Sequence, residues 1–177
     1  MRLKGNGFSL YELLLTLTLI AVLVGLALPS FAGAAARSRI HAEINALFHA
    51  VHLARKESIM RRQVVSLCPS TDGNRCRYST DWSIGWIMFN NRDGDDPPEV
   101  DPGEPILNRH RVRPEIRISA NRRGFTLRGT QKRATNGTLI VCDRARRAAA
   151  RGLIISYTGR PRVARARGSG EAYDCAD

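Results

Sequence analysis

Residues 7–29, "GFSLYELLLTLTLIAVLVGLALP", decide how this chain is read. From Leu13 to Leu28 no side chain is charged, and the only polar ones are Thr16 and Thr18, which a helix can satisfy against its own carbonyls. Extended through Pro29 to Ala36, the run is long enough to enter a bilayer, for which about 20 apolar residues suffice. Glu12 stands at its start, where a carboxylate is costly to bury and so signals a partner or a task. Arg2 and Lys4 precede it with no acid between, which keeps the N-terminus cytoplasmic and sends the remainder outward. A cleaved secretory signal ending near "FAGAAA" would explain the apolar run but neither Gly7-Phe8 nor Glu12.

A short basic leader, Gly7, Phe8, Glu12 and Pro29 in this order resemble the type III leader and N-terminal helix of type IV pilins and pseudopilins. The resemblance implies that a prepilin peptidase cuts after Gly7 and methylates the Phe8 amine. It also implies that Glu12 pairs with the N-terminal amine of a neighbouring subunit, so that its buried charge gains a partner from another chain. The implied location is the inner membrane, single-pass with a periplasmic ectodomain, and then a pilus at the cell surface among major and minor pilins.

Beyond Pro29 the helical pattern continues. Ile40, Ile44, Leu47, Phe48 and Val51 form one apolar stripe, with Arg37, Arg39, Glu43, Arg55 and Glu57 placed elsewhere on the surface. Pro29 removes a backbone donor and Gly25 weakens the rod nearby. One helix over residues 8–62 would span about 80 Å at 1.5 Å per residue, a length suited to a membrane or filament core. The chain therefore divides into a leader (1–7), a transmembrane or filament-core half-helix (8–36), an amphipathic half-helix (37–62) and a β-rich domain (63–177).

In that domain "QVVSLC", "SIGWIMF", "EIRISA", "GFTLRG", "TLIVCD" and "GLIISYT" are β-branched and aromatic runs separated by Gly, Pro, Asn and Asp. The fold class is α+β: a pilin fold with the long helix packed on antiparallel sheet. Residues 90–105, "NNRDGDDPPEVDPGEP", read as an acidic surface loop. Asn91, Asp93 and Asp95 match the first ligand positions of a calcium loop, but Asp96 replaces the required Gly and Pro102 the final Glu. Cys68, Cys76, Cys142 and Cys175 fall in the part expected outside the cytoplasm, where disulfides are the default. Of three possible pairings, Cys68–Cys76 across the turn "PSTDGNR" together with Cys142–Cys175 is favoured. The cysteines lack the spacing of a zinc site. His49 and His52 share a helix face and read as a solvated edge.

"CPSTDGNRC", "DWSIGWIMF", "LIVCD" and "GLIISYTGRPR" followed by Cys175 resemble the FimT/FimU branch of the GspH/FimT minor pilins. Members of that branch either prime and cap the pilus or capture DNA during natural transformation. Charge bears on the choice. Residues 1–108 hold eleven basic and eleven acidic side chains, whereas residues 109–177 hold seventeen and five, so the net charge of +12 lies wholly in the second part. Such segregation suits a polyanion or membrane-surface partner. "YTGRPRVARARG" places Arg160, Arg162, Arg165 and Arg167 within eight residues. If extended, it aligns Arg160 and Arg162 on one side. Gly159 would leave room for close approach, and Pro161 would stiffen the pair. The GRxR pattern here resembles the DNA-contacting motif of FimT-type pilins, with Arg144, Arg146, Arg147 and Arg151 as supporting charges. Guanidinium groups suit the phosphate backbone of DNA, since they are planar, always charged and donate bidentately. No catalytic arrangement, cofactor site or metal site stands out, and the chain reads as a non-enzyme.

Overall fold

The computed structural model describes residues 9–129 and 133–175, and of residues 26–30 the backbone alone. Gly7 and Phe8, where cleavage and methylation are expected, lie outside the described residues.

Helix α1 (Leu10–Arg61) is a single rod of 52 residues. Ser9 caps it, its hydroxyl accepting the Glu12 N–H at 3.2 Å. Glu12 thus stands in the first turn, where the unpaired N–H groups favour an anion. Thr16 and Thr18 donate to the carbonyls of Leu13 and Leu15 at 2.8 and 2.9 Å. The helical backbone continues through Pro29 and ends at Arg62, which takes a left-handed conformation with φ of 54°.

The two halves of α1 have opposite surroundings. Leu13, Leu14, Leu15, Leu17, Leu19, Ile20, Val22, Leu23 and Val24 are all exposed and point to every side of the helix. Among the described residues no helix is both long and apolar enough to cross a membrane. In the other half, Ala36, Ile40, Ile44, Leu47, Ala50, Val51 and Ala54 are buried at helical spacing. Phe48 is half-buried beside this stripe, with its ring centroid 4.6 Å from that of His52. Glu43 is not on the surface, as its sequence position suggested; it is buried, with its carboxylate 2.7 Å from His110 Nε2 and 4.0 Å from Arg113 Nε. A partner 67 residues away is what makes that burial tolerable, and no local pattern announces it.

Strands β1 (Val64–Pro69), β2 (Gly85–Asn90), β3 (Ile106–Arg111), β4 (Ile116–Ala120), β5 (Phe125–Arg128), β6 (Gly137–Asp143), β7 (Arg151–Ile155) and β8 (Pro161–Ala164) follow. They form two four-stranded antiparallel sheets, β3-β2-β1-β5 and β4-β6-β7-β8. Val65, Leu67, Trp86 and Met88 of the first sheet and Ile116, Ile118, Leu139, Val141, Leu153 and Ile155 of the second close one core against α1. Two strands were not among the runs anticipated from sequence. Both are edges: β3 is largely polar and only half-buried, and β8 opens on a proline whose missing N–H costs nothing there.

Disulfides join Cys68 to Cys76 and Cys142 to Cys175. Inside the first, the Asp72 carboxylate accepts the N–H groups of Asn74 and Arg75 at 2.8 and 3.0 Å, which hold its pKa below the usual carboxylate range. The acidic loop is also laced together. Buried Asn91 donates to Asp95 Oδ1 at 2.7 Å and to Ser66 Oγ at 3.0 Å, while Glu104 accepts the N–H groups of Arg92 and Asp101.

Candidate functional site

The tail arginines begin on a hairpin. Between β7 and β8 the Gly159 N–H donates to the Ser156 carbonyl at 2.8 Å, and the Ser156 N–H to the Arg160 carbonyl at 3.1 Å. Gly159 itself has φ of +70°. This is a tight turn closed by a left-handed residue, the conformation glycine adopts without steric cost. The Ser156 hydroxyl accepts the Arg160 N–H at 3.2 Å and fixes the neck further.

Gly159 is buried, and a Cβ there would meet Leu127 Cδ1 at 2.8 Å and Ala134 Cβ at 3.5 Å. The close approach it permits is therefore to this chain's own first sheet. Pro161 is likewise buried, opposite Ile155. Strand alternation then turns Arg160 and Arg162 to the outer face, with Arg162 opposite Ile154 and both arginines exposed. Along a strand they are about 6.6 Å apart. Among the described residues Arg61 pairs with Glu57 and Arg113 with Glu43, while no such pair is seen for Arg160, Arg162 or Arg165.

Past β8 the tail is not a free extended strand. Ala166 bridges Ala172 around a second small turn, where the Arg167 N–H donates to the Glu171 carbonyl at 2.7 Å and Gly170 has φ of +85°. Tyr173 then lies over Gly152, filling the space a side chain would take. Cys175 is fastened to Cys142, and Arg117 donates to its carbonyl at 3.1 Å.

Arg144, Arg146 and Arg147 are not beside Arg160. They occupy the β6–β7 turn at the opposite end of β7, with Arg151 at the root of that strand, and the Arg147 carbonyl is 3.6 Å from where a Gly33 Cβ would stand. The β7–β8 hairpin lies against Arg55, which donates to the Thr158 carbonyl. Arg55 is 22 residues further along α1 than Gly33, or about 33 Å at 1.5 Å per residue. Relative to the N-terminal half of the helix, the hairpin is distal and the β6–β7 turn proximal. Ala164 pairs with Gly152, so Arg165 lies at the proximal end of β7 beside Arg151, with Arg167 on the tail beyond it.

The two ends differ in charge balance. Proximally, the Arg144 N–H donates to the Glu115 carbonyl, and buried Asp143 accepts the Arg147 N–H at 3.1 Å. Glu115 and Asp143 border the same depression as Arg39, Arg144 and Arg147. Distally, a cavity of about 310 Å³ is lined by Arg55, Arg128, Arg133, Leu127, Tyr157 and Gly159, and no acid among the described residues borders it. The sequence reading did not single out Arg55, Arg128 and Arg133. Arg128 and Arg133 are neighbours five residues apart, Arg128 donating to the Arg133 carbonyl at 3.3 Å, and Arg55 joins them from α1, where it meets the hairpin at Thr158.

The family model described as type II transport protein GspH matches residues 43–159, which is most of the chain and stops just before Arg160. No curated protein sequence matches the chain. Among solved structures it is similar to the type IV minor pilin FimU of Pseudomonas aeruginosa, in one crystal form at TM-score 0.50 and 19% identity, covering 77% of this chain and 96% of that one. It is also similar to the minor pseudopilin EpsH of the Vibrio cholerae type 2 secretion system, at TM-score 0.50 and 10% identity over 71% of this chain and 96% of that one. A long helix laid against two antiparallel sheets is thus the fold this chain has in common with FimU and EpsH, and the chain belongs to the GspH family.

Proposed function

We propose that this chain is a minor pilin that holds DNA by its phosphate backbone along the distal edge of the second sheet, for DNA uptake in natural transformation. The observation that carries the reading is the pair Arg160 and Arg162, aligned on one exposed face, without ion-pair partners among the described residues, on a hairpin whose turn is fixed from both sides. Their spacing of about 6.6 Å is close to two 3.4 Å steps along one DNA strand. Because the hairpin is already ordered, little conformational freedom is lost on binding. Contacts of this kind are to phosphate and so are nearly independent of sequence.

The remaining parts of the reading concern assembly. Prepilin peptidase would release Phe8. The apolar half of α1, exposed on all sides in the single chain, would sit in the inner membrane and afterwards among other pilins, with Glu12 paired to a neighbour's amine. A second reading has a specific observation in its favour: the family match ends before the tail arginines, and FimU and EpsH are a minor pilin and a minor pseudopilin. On it the chain primes or caps a pilus or pseudopilus and its basic edge meets an acidic subunit.

The two are separated by titrating the detergent-solubilised full chain with short duplexes of unrelated sequence at several salt concentrations. Four phosphate contacts give a log-log salt slope of about −3.6. An Arg160→Gln/Arg162→Gln variant with unchanged circular dichroism is expected to lose most of the affinity. Binding that is absent, or that ignores salt, contradicts the DNA reading and leaves the assembly role.

A further inference from the structure

The distal cavity is not used by the backbone contacts just described. It lies between the end of α1 (Arg55, Ile59), the end of β5 (Leu127, Arg128), Arg133–Ala134 and the hairpin residues Tyr157–Gly159. Its volume of about 310 Å³ is at the lower end of the roughly 300–1,000 Å³ of small-ligand sites, room for one nucleotide and far too narrow for a duplex. Its chemistry is one-sided. Among the described residues three guanidinium-bearing side chains and no carboxylate border it, and the apolar part of the lining is buried Leu127 and Ala134 with half-exposed Ile59. Tyr157 is 56% exposed at the rim, and the Arg133 guanidinium carbon is 5.6 Å from its ring centroid. Arg55 and Arg128 are held by backbone carbonyls, Arg55 by Thr158 and Arg128 by Arg133 and Gly94, so their charges are pre-positioned.

We propose that this cavity is a subsite for one unpaired nucleotide of single-stranded DNA, with the base stacked on Tyr157 and its phosphate held by Arg133 together with Arg55. The inference rests on the DNA reading above and adds to it a strand form. An aromatic ring beside cationic side chains is the usual means of holding single strands, because every base has a stacking face whatever its sequence. A base inside a duplex is already stacked and cannot reach the ring. The hairpin arginines then track the backbone on either side of the docked nucleotide, while duplex DNA reaches only the arginines.

Fluorescence anisotropy of the full chain in detergent, with an oligothymidine and with a blunt duplex of equal length, tests this. The wild type should bind the single strand more tightly. Tyr157→Ala should weaken single-strand binding about tenfold and leave the duplex unchanged, since one base–aromatic stack is worth roughly that much. Tyr157→Phe, which keeps the ring, should bind as the wild type does, and this variant separates loss of stacking from loss of folding. Arg133→Gln should weaken the single strand more than the duplex. Equal effects of Tyr157→Ala on both forms, or none on either, overturn the subsite while leaving backbone binding intact. Failure of the wild type to bind either form overturns both.

Discussion

The two ends of the second sheet carry arginines in similar numbers but in different settings. At the proximal β6–β7 turn Arg144 and Arg147 share a depression with Glu115 and Asp143, and Arg146 itself takes the left-handed position with φ of 54°. At the distal β7–β8 turn a glycine takes that position, the arginines face outward, and no acid among the described residues borders the adjoining cavity. Arginine number therefore does not mark an anion site here. What distinguishes the distal end, the site proposed for DNA, is a turn whose left-handed residue is Gly159, after which Arg160 and Arg162 alternate outward. The tail connects the two ends, anchored proximally by Cys142–Cys175 and packed there by Tyr173 over Gly152.

The largest expected effect tests that anchor. Cys142→Ser/Cys175→Ser opens a 33-residue separation and should cost about 3–4 kcal/mol in urea unfolding, roughly 1 kcal/mol more than Cys68→Ser/Cys76→Ser, whose separation is 8. Since the distal hairpin has its own bonds, DNA affinity of the folded fraction should change little. A collapse of affinity would show that the hairpin depends on the proximal anchor.

Next comes the distal turn itself. Gly159→Ala puts a Cβ into left-handed backbone and 2.8 Å from Leu127 Cδ1, and should destabilise by about 2 kcal/mol while lowering DNA affinity. The mirror experiment is the smallest effect. Arg146→Gly relieves the proximal left-handed residue and should alter stability by less than about 1 kcal/mol, with DNA binding unchanged. If Arg146→Gly weakened binding as much as Gly159→Ala did, the distinction between the ends would fail.

Much of the fold was legible because its signals are local. Apolar period and leader chemistry set α1, observed at Leu10–Arg61 against an expected 8–62, and β-branched runs located six of the strands. What escaped was set by distant partners. Glu43 looks like a surface residue until His110 arrives on β3, and β3 itself is an edge strand too polar to stand out. Gly159 looked like an opening for a ligand, whereas Leu127 of the other sheet occupies that side. The tail arginines were visible in sequence, but their separation from Arg144, Arg146 and Arg147 was not, because one short strand places the two groups at opposite ends. Arg128 and Arg133 are close in sequence, but Arg55 joins them only through tertiary closure.

The central claim, that position and not total charge makes the DNA site, is tested most directly by two charge-matched variants of the full chain. Arg160→Gln/Arg162→Gln and Arg144→Gln/Arg147→Gln each remove two positive charges. Their duplex affinities and salt slopes, measured side by side, should diverge: the distal pair loses at least tenfold and flattens the slope by about 1.8, and the proximal pair stays close to wild type. Equal losses from the two would mean that DNA senses only the overall basic field, and would contradict the account.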